Sequence, residues 1–116
     1  MNGSSSVIEA LLPYRVNVNH VDFYCRTALS LAAEGGFPDV IKLLLGQAEI
    51  DLEISDRMGR TSLTWAAQGG NMEVVKLLTE AGADVVKGDK SGRTPLSWVL
   101  EYGHTKLIKY LIKISP

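Results

Sequence analysis

Histidine and cysteine, two side chains that often act as general base or nucleophile in enzymes, are scarce in this chain. The two histidines, His20 and His104, lie in different parts of the sequence, and neither has a carboxylate at a repeated spacing that would position it as a general base. The single cysteine, Cys25, has no histidine within its own sequence repeat to activate it as a nucleophile. We therefore expect a protein that is not an enzyme, in which Cys25 packs in a turn and His104 is a loop or capping residue.

Two polar segments resemble ligand-binding loops, but each lacks a residue that such a loop needs. The acidic segment 51–56 has no glycine at the position where a calcium loop requires one. Segment 88–94 lacks the Gly-Lys-Ser or Gly-Lys-Thr ending of a phosphate-binding loop. A lone cysteine also excludes a cysteine-based zinc cluster. The sequence therefore predicts no metal site and no cofactor.

Length and composition fit one small domain inside the cell. The 116 residues are 46% hydrophobic and 22% charged, which is typical of a folded globular domain. No apolar run is long enough to span a membrane, the chain does not open with a signal peptide, and a single cysteine suits a reducing compartment. We expect an intracellular protein, either cytoplasmic or nuclear.

The formal net charge of −1 conceals an uneven distribution of charge. Residues 1–56 contain three basic and eight acidic residues, whereas residues 57–116 contain nine basic and five acidic ones. Because the chain has no overall basic surface, we expect it to bind neither nucleic acid nor a membrane.

Three segments of the sequence repeat in register. Each opens with an aspartate (Asp22, Asp56 or Asp89) that is followed four and five residues later by arginine and threonine, and the openings are 34 and 33 residues apart. A second, apolar block starts at residues 40, 74 and 107, and a related block starts at residue 7. The chain thus contains a half repeat followed by three repeats, and such periods are typical of stacked architectures.

Each repeat has the pattern of a helix, a loop, a second helix and a hairpin. We predict first helices over 29–34, 63–68 and 96–102. Each is followed by a glycine at the place where a helix ends with a positive φ, and these glycines are Gly36, Gly70 and Gly103.

The second helices begin after these glycines. Pro38 suits the first turn of one second helix, and Asn71 or the aligned His104 is expected to cap the following ones. Segments 51–56 and 84–89, rich in aspartate, glycine and β-branched residues, are predicted to form the connecting hairpins.

The blocks Asp-x-x-Gly-x-Thr-Pro-Leu, Ala-Ala-x-x-Gly, Val-Val-x-Leu-Leu and Ala-Gly-Ala-Asp-Val together resemble the ankyrin repeat, and the Thr-Pro-Leu-Ser-Trp segment is similar to fungal ankyrin arrays. The resemblance implies an all-α fold, an ankyrin-repeat solenoid of stacked helix-loop-helix units joined by hairpin loops. It implies a single domain over 1–116, with an N-terminal half repeat at 5–21, repeat 1 at 22–55, repeat 2 at 56–88 and repeat 3 at 89–116.

Three slots depart from the usual ankyrin pattern. Serine or threonine replaces the histidine that normally follows the repeated leucine. Trp65 and Trp98 occupy the next slot, and we expect them to stack in a structural role rather than to form a ligand cage. Cys25 stands where the turn glycine is expected, so the first hairpin is predicted to be differently shaped or strained.

The resemblance places partner binding on the hairpin tips and on the exposed side of the first helices, which line one concave surface. The candidates at the tips and in the arginine slot behind them are Phe23, Tyr24, Arg26, Arg57, Met58, Arg60, Lys90 and Arg93. The candidates on the first helices are Glu34, Gln68, Glu101 and Tyr102. We expect the centre of the partner site to consist of Phe23, Tyr24, Met58 and Arg60.

The arginine slot has two interpretations. Stacking of the repeats would align Arg26, Arg60 and Arg93 in a row that grips the carboxylates of an acidic partner segment. Alternatively, each arginine pairs with hairpin carboxylates in its own repeat or in the next one. The sequence leaves both interpretations open.

The leading hypothesis is a non-catalytic protein–protein interaction scaffold that binds its partner through the hairpin tips and the concave first-helix surface. The alternative is a structural spacer segment of a longer ankyrin solenoid, with no partner of its own. The last helix is apolar along most of its length. We therefore expect either that the array continues in a longer protein or that the C-terminal repeat mediates self-association.

Overall fold

The computed structural model describes residues 19–115. Within this range the chain folds into three helix-loop-helix pairs and contains no strand. In chain order the helices are α1 (Ala28–Gly35), α2 (Pro38–Leu45), α3 (Ser62–Gly69), α4 (Met72–Glu80), α5 (Pro95–Tyr102) and α6 (Thr105–Ile114). The prediction of an all-α array of stacked helix-loop-helix units is confirmed. The predicted half repeat at 5–21 lies, up to residue 18, outside the described residues.

The first helices α1, α3 and α5 begin at a threonine and end at a glycine. The hydroxyl oxygens of Thr27, Thr61 and Thr94 each accept a hydrogen bond from the backbone N–H three residues later, which satisfies one of the free donors of the first turn. A glycine with φ between 70° and 73° follows the last residue of each helix. The bounds differ from the predicted ones by at most one residue, because these local signals are strong.

The second helices begin in three different ways. Pro38 opens α2, as predicted, and the Asn71 side chain caps α4 by accepting a hydrogen bond from Val74 N at 3.0 Å. His104 precedes α6, but its side chain makes no capping hydrogen bond, so the capping role considered for it is wrong. Its Nε2 lies 3.3 Å from the backbone oxygen of Gln68 instead.

The His104 ring also covers Gly70, where an added Cβ would lie 2.5 to 2.8 Å from ring atoms. His104 therefore packs repeat 3 against the end of α3.

The core lies between neighbouring pairs rather than at one centre. The first helices pack side by side in chain order, each also packs on the second helix of its own pair, and α2 packs on α4. Close approach of the first helices is possible because small residues lie at the contact: Ala32, Ala33, Ala66 and Ala67 are at most 4% exposed. Each pair therefore depends on its neighbour for burial, as expected of a solenoid.

Each hairpin tip is a tight turn organised by its opening aspartate. In repeat 2 the Asp56 carboxylate accepts hydrogen bonds from Met58 N and Arg60 N, while Asp56 N donates to Arg60 O. Asp22 and Asp89 repeat this pattern. Each turn requires a positive φ at its fourth residue, which is 78° at Gly59 but 64° at Cys25, so the predicted strain at Cys25 is present.

Neighbouring tips are joined to one another. Lys90 N donates to Met58 O at 2.9 Å, which links repeats 2 and 3. The guanidinium of Arg57 donates to Phe23 O at 2.7 Å, which links repeats 1 and 2. The three tips consequently form a continuous row along one edge of the array.

Candidate partner-binding surface

The tips of repeats 1 and 2 bring together two aromatic rings and two guanidinium groups. The rings of Phe23 and Tyr24 meet edge to face, with their centroids 5.3 Å apart. The guanidinium of Arg26 lies 5.0 Å from the centroid of the Tyr24 ring, and that of Arg57 lies 5.0 Å from the centroid of the Phe23 ring. We call Phe23, Tyr24, Arg26 and Arg57 the tip cluster.

The tip cluster remains open to solvent although its members contact one another. Phe23 is 76% exposed and Tyr24 is 56% exposed. Contact with the two guanidinium groups restricts the rotamers of both rings, which reduces the entropy that a partner must overcome on binding. An exposed aromatic pair flanked by arginines has the composition of an interface anchor.

Arg26 is also held from the other side. Its Nη2 lies 3.1 Å from Asp22 Oδ2, and its Nε donates to the same oxygen at 3.1 Å. The backbone N–H of Arg26 donates to the other carboxylate oxygen and, with this guanidinium, holds the pKa of Asp22 below its ordinary value. The carboxylate therefore stays charged and fixes Arg26 beneath the Tyr24 ring.

A second set of aromatic and cationic side chains runs from α3 to α5. The Arg60 guanidinium lies 5.0 Å from the ring centroid of Trp65 and 5.4 Å from that of Trp98. The Arg93 guanidinium lies 4.6 Å from the Trp98 ring, on which Tyr102 stacks at 5.9 Å and 15°. We call Trp65, Arg60, Trp98, Arg93 and Tyr102 the indole stack. The stacking predicted for the two tryptophans thus takes the form of an arginine placed over both rings.

The hairpin aspartates anchor both indoles. Trp65 Nε1 donates to Asp56 Oδ2 at 3.2 Å, and Trp98 Nε1 donates to Asp89 Oδ2 at 3.4 Å. Burial raises the pKa of Asp89, but the backbone N–H groups of Arg93 and Ser91 outweigh this effect and leave the pKa below its ordinary value. Each repeat that contains a tryptophan therefore ties the tip to the first helix through one carboxylate.

The three arginines of the repeated slot have different partners. Arg26 pairs with Asp22, as the interpretation of pairing with a hairpin carboxylate expects. Arg93 pairs instead with Glu101, which lies on α5 and not in a hairpin, at 2.7 Å. Arg60 has no ion pair among residues 19–115, and its Nε is buried without a hydrogen-bond partner there. Of the three arginines, only Arg60 has a guanidinium group without an ion pair within residues 19–115, as the interpretation of a row that grips an acidic partner expects.

The structure places some of the sequence-predicted site residues in the two clusters and others outside them. The expected centre is divided, because Phe23 and Tyr24 lie in the tip cluster whereas Arg60 lies in the indole stack. The predicted site residues that are exposed but belong to neither cluster are Met58, Lys90, Glu34 and Glu101. Gln68 is partly buried on α3, and its Oε1 has no hydrogen-bond partner within the described part of the chain.

Trp65 and Trp98 are expected from the sequence to have a structural role, and the structure places them beneath the guanidinium groups of this surface, with Trp98 only 6% exposed. The signal for their contact with arginine is a fixed distance of five residues from Arg60 to Trp65 and from Arg93 to Trp98.

Metal-binding clusters and membrane-spanning helices are both absent from residues 19–115. No group of three or more His, Cys, Asp or Glu side chains there could hold a metal ion. Over the same residues, each helix is too short or too polar to cross a bilayer.

Comparison with known proteins agrees with the geometry. The family model described as "Ankyrin repeats (3 copies)" matches residues 1–89 and again residues 53–115. A search of curated proteins gave no match. Ankyrin repeats are generally protein–protein interaction modules and are typically non-catalytic. The repeated sequence, the three stacked helix pairs and the match over nearly the whole chain show that this chain belongs to the ankyrin repeat family.

Proposed function

We propose that this chain is a non-catalytic scaffold that binds a protein partner through its hairpin tips and its concave first-helix surface. The observation that carries the proposal is the tip cluster, in which an exposed aromatic pair is held between two guanidinium groups. Leaving Phe23 and Tyr24 in water has no benefit for folding, since neither ring is packed in the core. Burying them against a partner would give a hydrophobic gain on a surface that is already ordered.

The charge of the surface favours an acidic partner segment. Arg57 and Lys90 are exposed at the tips, and the arginine slot lies behind them. Arginine binds carboxylates through two parallel hydrogen bonds and also stacks on aromatic rings, so the tip cluster suits a segment that combines acidic and apolar side chains. The single cysteine, a free thiol, supports an intracellular location as part of this proposal.

A selection experiment tests the proposed function. Peptides selected from a random display library on the immobilised domain should bind the Phe23→Ala/Tyr24→Ala variant at least about tenfold more weakly, because truncation of interface anchors costs more than about 1.4 kcal/mol. The melting temperature should change little, since both side chains are exposed.

The matched control is Val86→Ala, which truncates an exposed apolar side chain that belongs neither to the tip cluster nor to the proposed self-association face. This control should keep the affinity of the unsubstituted chain. Equal affinity of the tip variant, or failure to select any peptide, would contradict the proposal and favour the alternative of a structural spacer.

We propose, second, that the end of the array formed by α5 and α6 pairs with another copy of the chain. Ala33 and Ala67 are at most 1% exposed, whereas the aligned Leu100 is 56% exposed. Ile112 on α6 is 58% exposed. The end face thus has the chemistry of an internal stacking surface, and sedimentation over a concentration series tests whether a second copy covers it.

A further inference from the structure

We infer that Arg60 is the point on this surface that receives a carboxylate of the partner's acidic segment, because repeat 2 has lost both of the internal carboxylates that neutralise the equivalent arginines. This inference rests on the proposed function and assigns one residue and one ligand group to it. It concerns the indole stack rather than the tip cluster, so the two can be tested separately.

The first internal carboxylate, that of the hairpin aspartate, is occupied by a tryptophan in repeat 2. In repeat 1 the Oδ2 of Asp22 accepts both hydrogen bonds of Arg26, because the residue nine positions after Asp22 is Leu31, which has no donor. In repeat 2 the corresponding residue is Trp65, whose indole N–H occupies Asp56 Oδ2 at 3.2 Å. Asp56 Oδ1 is occupied as well, by two backbone N–H groups of the turn.

The second internal carboxylate, that of a glutamate on the first helix, is replaced by a glutamine in repeat 2. In repeat 3 a tryptophan also occupies the hairpin aspartate, but Arg93 pairs with Glu101, eight residues later, at 2.7 Å. The residue eight positions after Arg60 is Gln68. A neutral amide therefore stands where repeat 3 has a carboxylate, and Gln68 Oε1 is buried without a hydrogen-bond partner among residues 19–115.

Arg60 consequently carries an uncompensated charge in the middle of the described array. Its Nε is buried with no acceptor, and no carboxylate of residues 19–115 lies within ion-pair distance of its guanidinium. The indoles of Trp65 and Trp98 partly offset the cost through cation–π contact, but they supply no hydrogen-bond acceptor.

The ligand that satisfies these requirements is a carboxylate. It supplies the missing negative charge and up to two parallel hydrogen bonds to a guanidinium. The flanking indoles exclude water from one side of the contact, which strengthens the electrostatic attraction. The Nε of Arg60 is buried, but its two terminal nitrogens are not, so a carboxylate of a bound segment can approach these nitrogens.

The test is an NMR titration of the full chain with a capped peptide of alternating glycine and glutamate, and with the same peptide containing glutamine instead. The chain has two tryptophans, so their indole N–H signals report directly on the indole stack. The glutamate peptide should shift both indole signals and the Arg60 Nε–H signal, and the glutamine peptide should not. Equal shifts with both peptides, or no shift with the glutamate peptide, would overturn the inference.

The decisive variant is Gln68→Glu, which gives repeat 2 the carboxylate that Glu101 supplies in repeat 3. Because this carboxylate would pair with Arg60, binding of the glutamate peptide should weaken about tenfold, which corresponds to the loss of one charge-assisted hydrogen bond. The matched control is Gln47→Glu, which makes the same chemical change and the same change in net charge at the end of α2. Its affinity should stay near that of the unsubstituted chain.

Equal weakening by both substitutions would show a nonspecific effect of charge and would contradict the assignment to Arg60. Unchanged affinity in Gln68→Glu would contradict it as well. If the peptide from the display selection loses affinity in the Phe23→Ala/Tyr24→Ala variant but Gln68→Glu leaves the glutamate peptide unaffected, the inference fails and the proposed function stands.

Discussion

The two carboxylate oxygens of the aspartate that opens each hairpin accept hydrogen bonds from different donors. In all three repeats Oδ1 accepts backbone N–H groups of the turn, whereas Oδ2 serves the arginine in repeat 1 and the indole in repeats 2 and 3. The repeated aspartate and arginine are visible in the sequence. Whether this aspartate pairs with this arginine cannot be seen in the sequence. The pairing depends on whether the residue nine positions after the aspartate is a tryptophan, and on the residue eight positions after the arginine.

Cys25 is a residue whose backbone cost could be read from the sequence. Its φ of 64° matches the φ values of Gly59 and Gly92 in the aligned turns. Cys25→Gly should raise the free energy of unfolding by about 0.5–1 kcal/mol, because relief of the left-handed conformation exceeds the extra entropy that glycine gives the unfolded chain. Urea denaturation followed by circular dichroism measures the change.

The matched substitution in the opposite direction is Gly59→Ala. It places a side chain at a φ of 78°, with its Cβ 2.8 Å from the backbone nitrogen of Lys90. This variant should lose more than about 1 kcal/mol of stability. Loss of stability in Cys25→Gly would show that the cysteine side chain contributes more packing than its strained backbone costs.

At the scale of helices, the sequence predicted the bounds of α1, α3 and α5 to within one residue. The threonine that caps each helix and the glycine that ends it act over a few residues, so the chain specifies them locally. Of the two residues predicted to cap a second helix, Asn71 forms a capping hydrogen bond and His104 does not. His104 aligns with Asn71 and was considered for the same capping role, but its ring is drawn across to the backbone oxygen of Gln68 in the preceding repeat.

The caps of α1 and α5 should differ in their contributions to stability. In α1 Thr27 and Ser30 are both buried and cap each other reciprocally, with bonds of 3.0 and 3.1 Å. In α5 Thr94 is only partly buried, Ser97 is exposed, and the bond from Ser97 N to Thr94 is 3.3 Å long.

Thr27→Val should therefore destabilise the chain by about 2 kcal/mol and Thr94→Val by about 0.5 kcal/mol, since a buried donor without an acceptor costs more than an exposed one. Urea denaturation of both variants tests this difference. Equal losses would mean that burial of the cap does not determine its value.

The described part of the molecule is a row of repeats in which each repeat packs on and hydrogen-bonds to the one before it. Links between tips, between first helices and between His104 and α3 all cross repeat boundaries. The stacked architecture could be predicted from the register of the repeats. The division of the surface into a tip cluster and an indole stack could not, because it arises from contacts between residues about one repeat apart.

The end face of α5 and α6 gives a prediction at this scale. Leu100→Gln/Ile112→Gln should keep the molecular mass of a monomer at concentrations where the unsubstituted chain shows a rising mass in sedimentation, because both positions are exposed and apolar. Val86→Gln, which changes another exposed apolar residue, should associate like the unsubstituted chain. A monomeric unsubstituted chain at every concentration would contradict self-association.

The position of the tryptophans has an optical consequence. Both indoles of the chain belong to the indole stack in repeats 2 and 3, and neither lies in repeat 1. Intrinsic fluorescence will therefore report on repeats 2 and 3 and will not detect fraying of repeat 1. Circular dichroism records the unfolding of helices in all three repeats. Because Arg60 contacts both indoles, a ligand bound to Arg60 should alter the tryptophan emission of the unlabelled protein. Binding at this surface can therefore be measured without an added label.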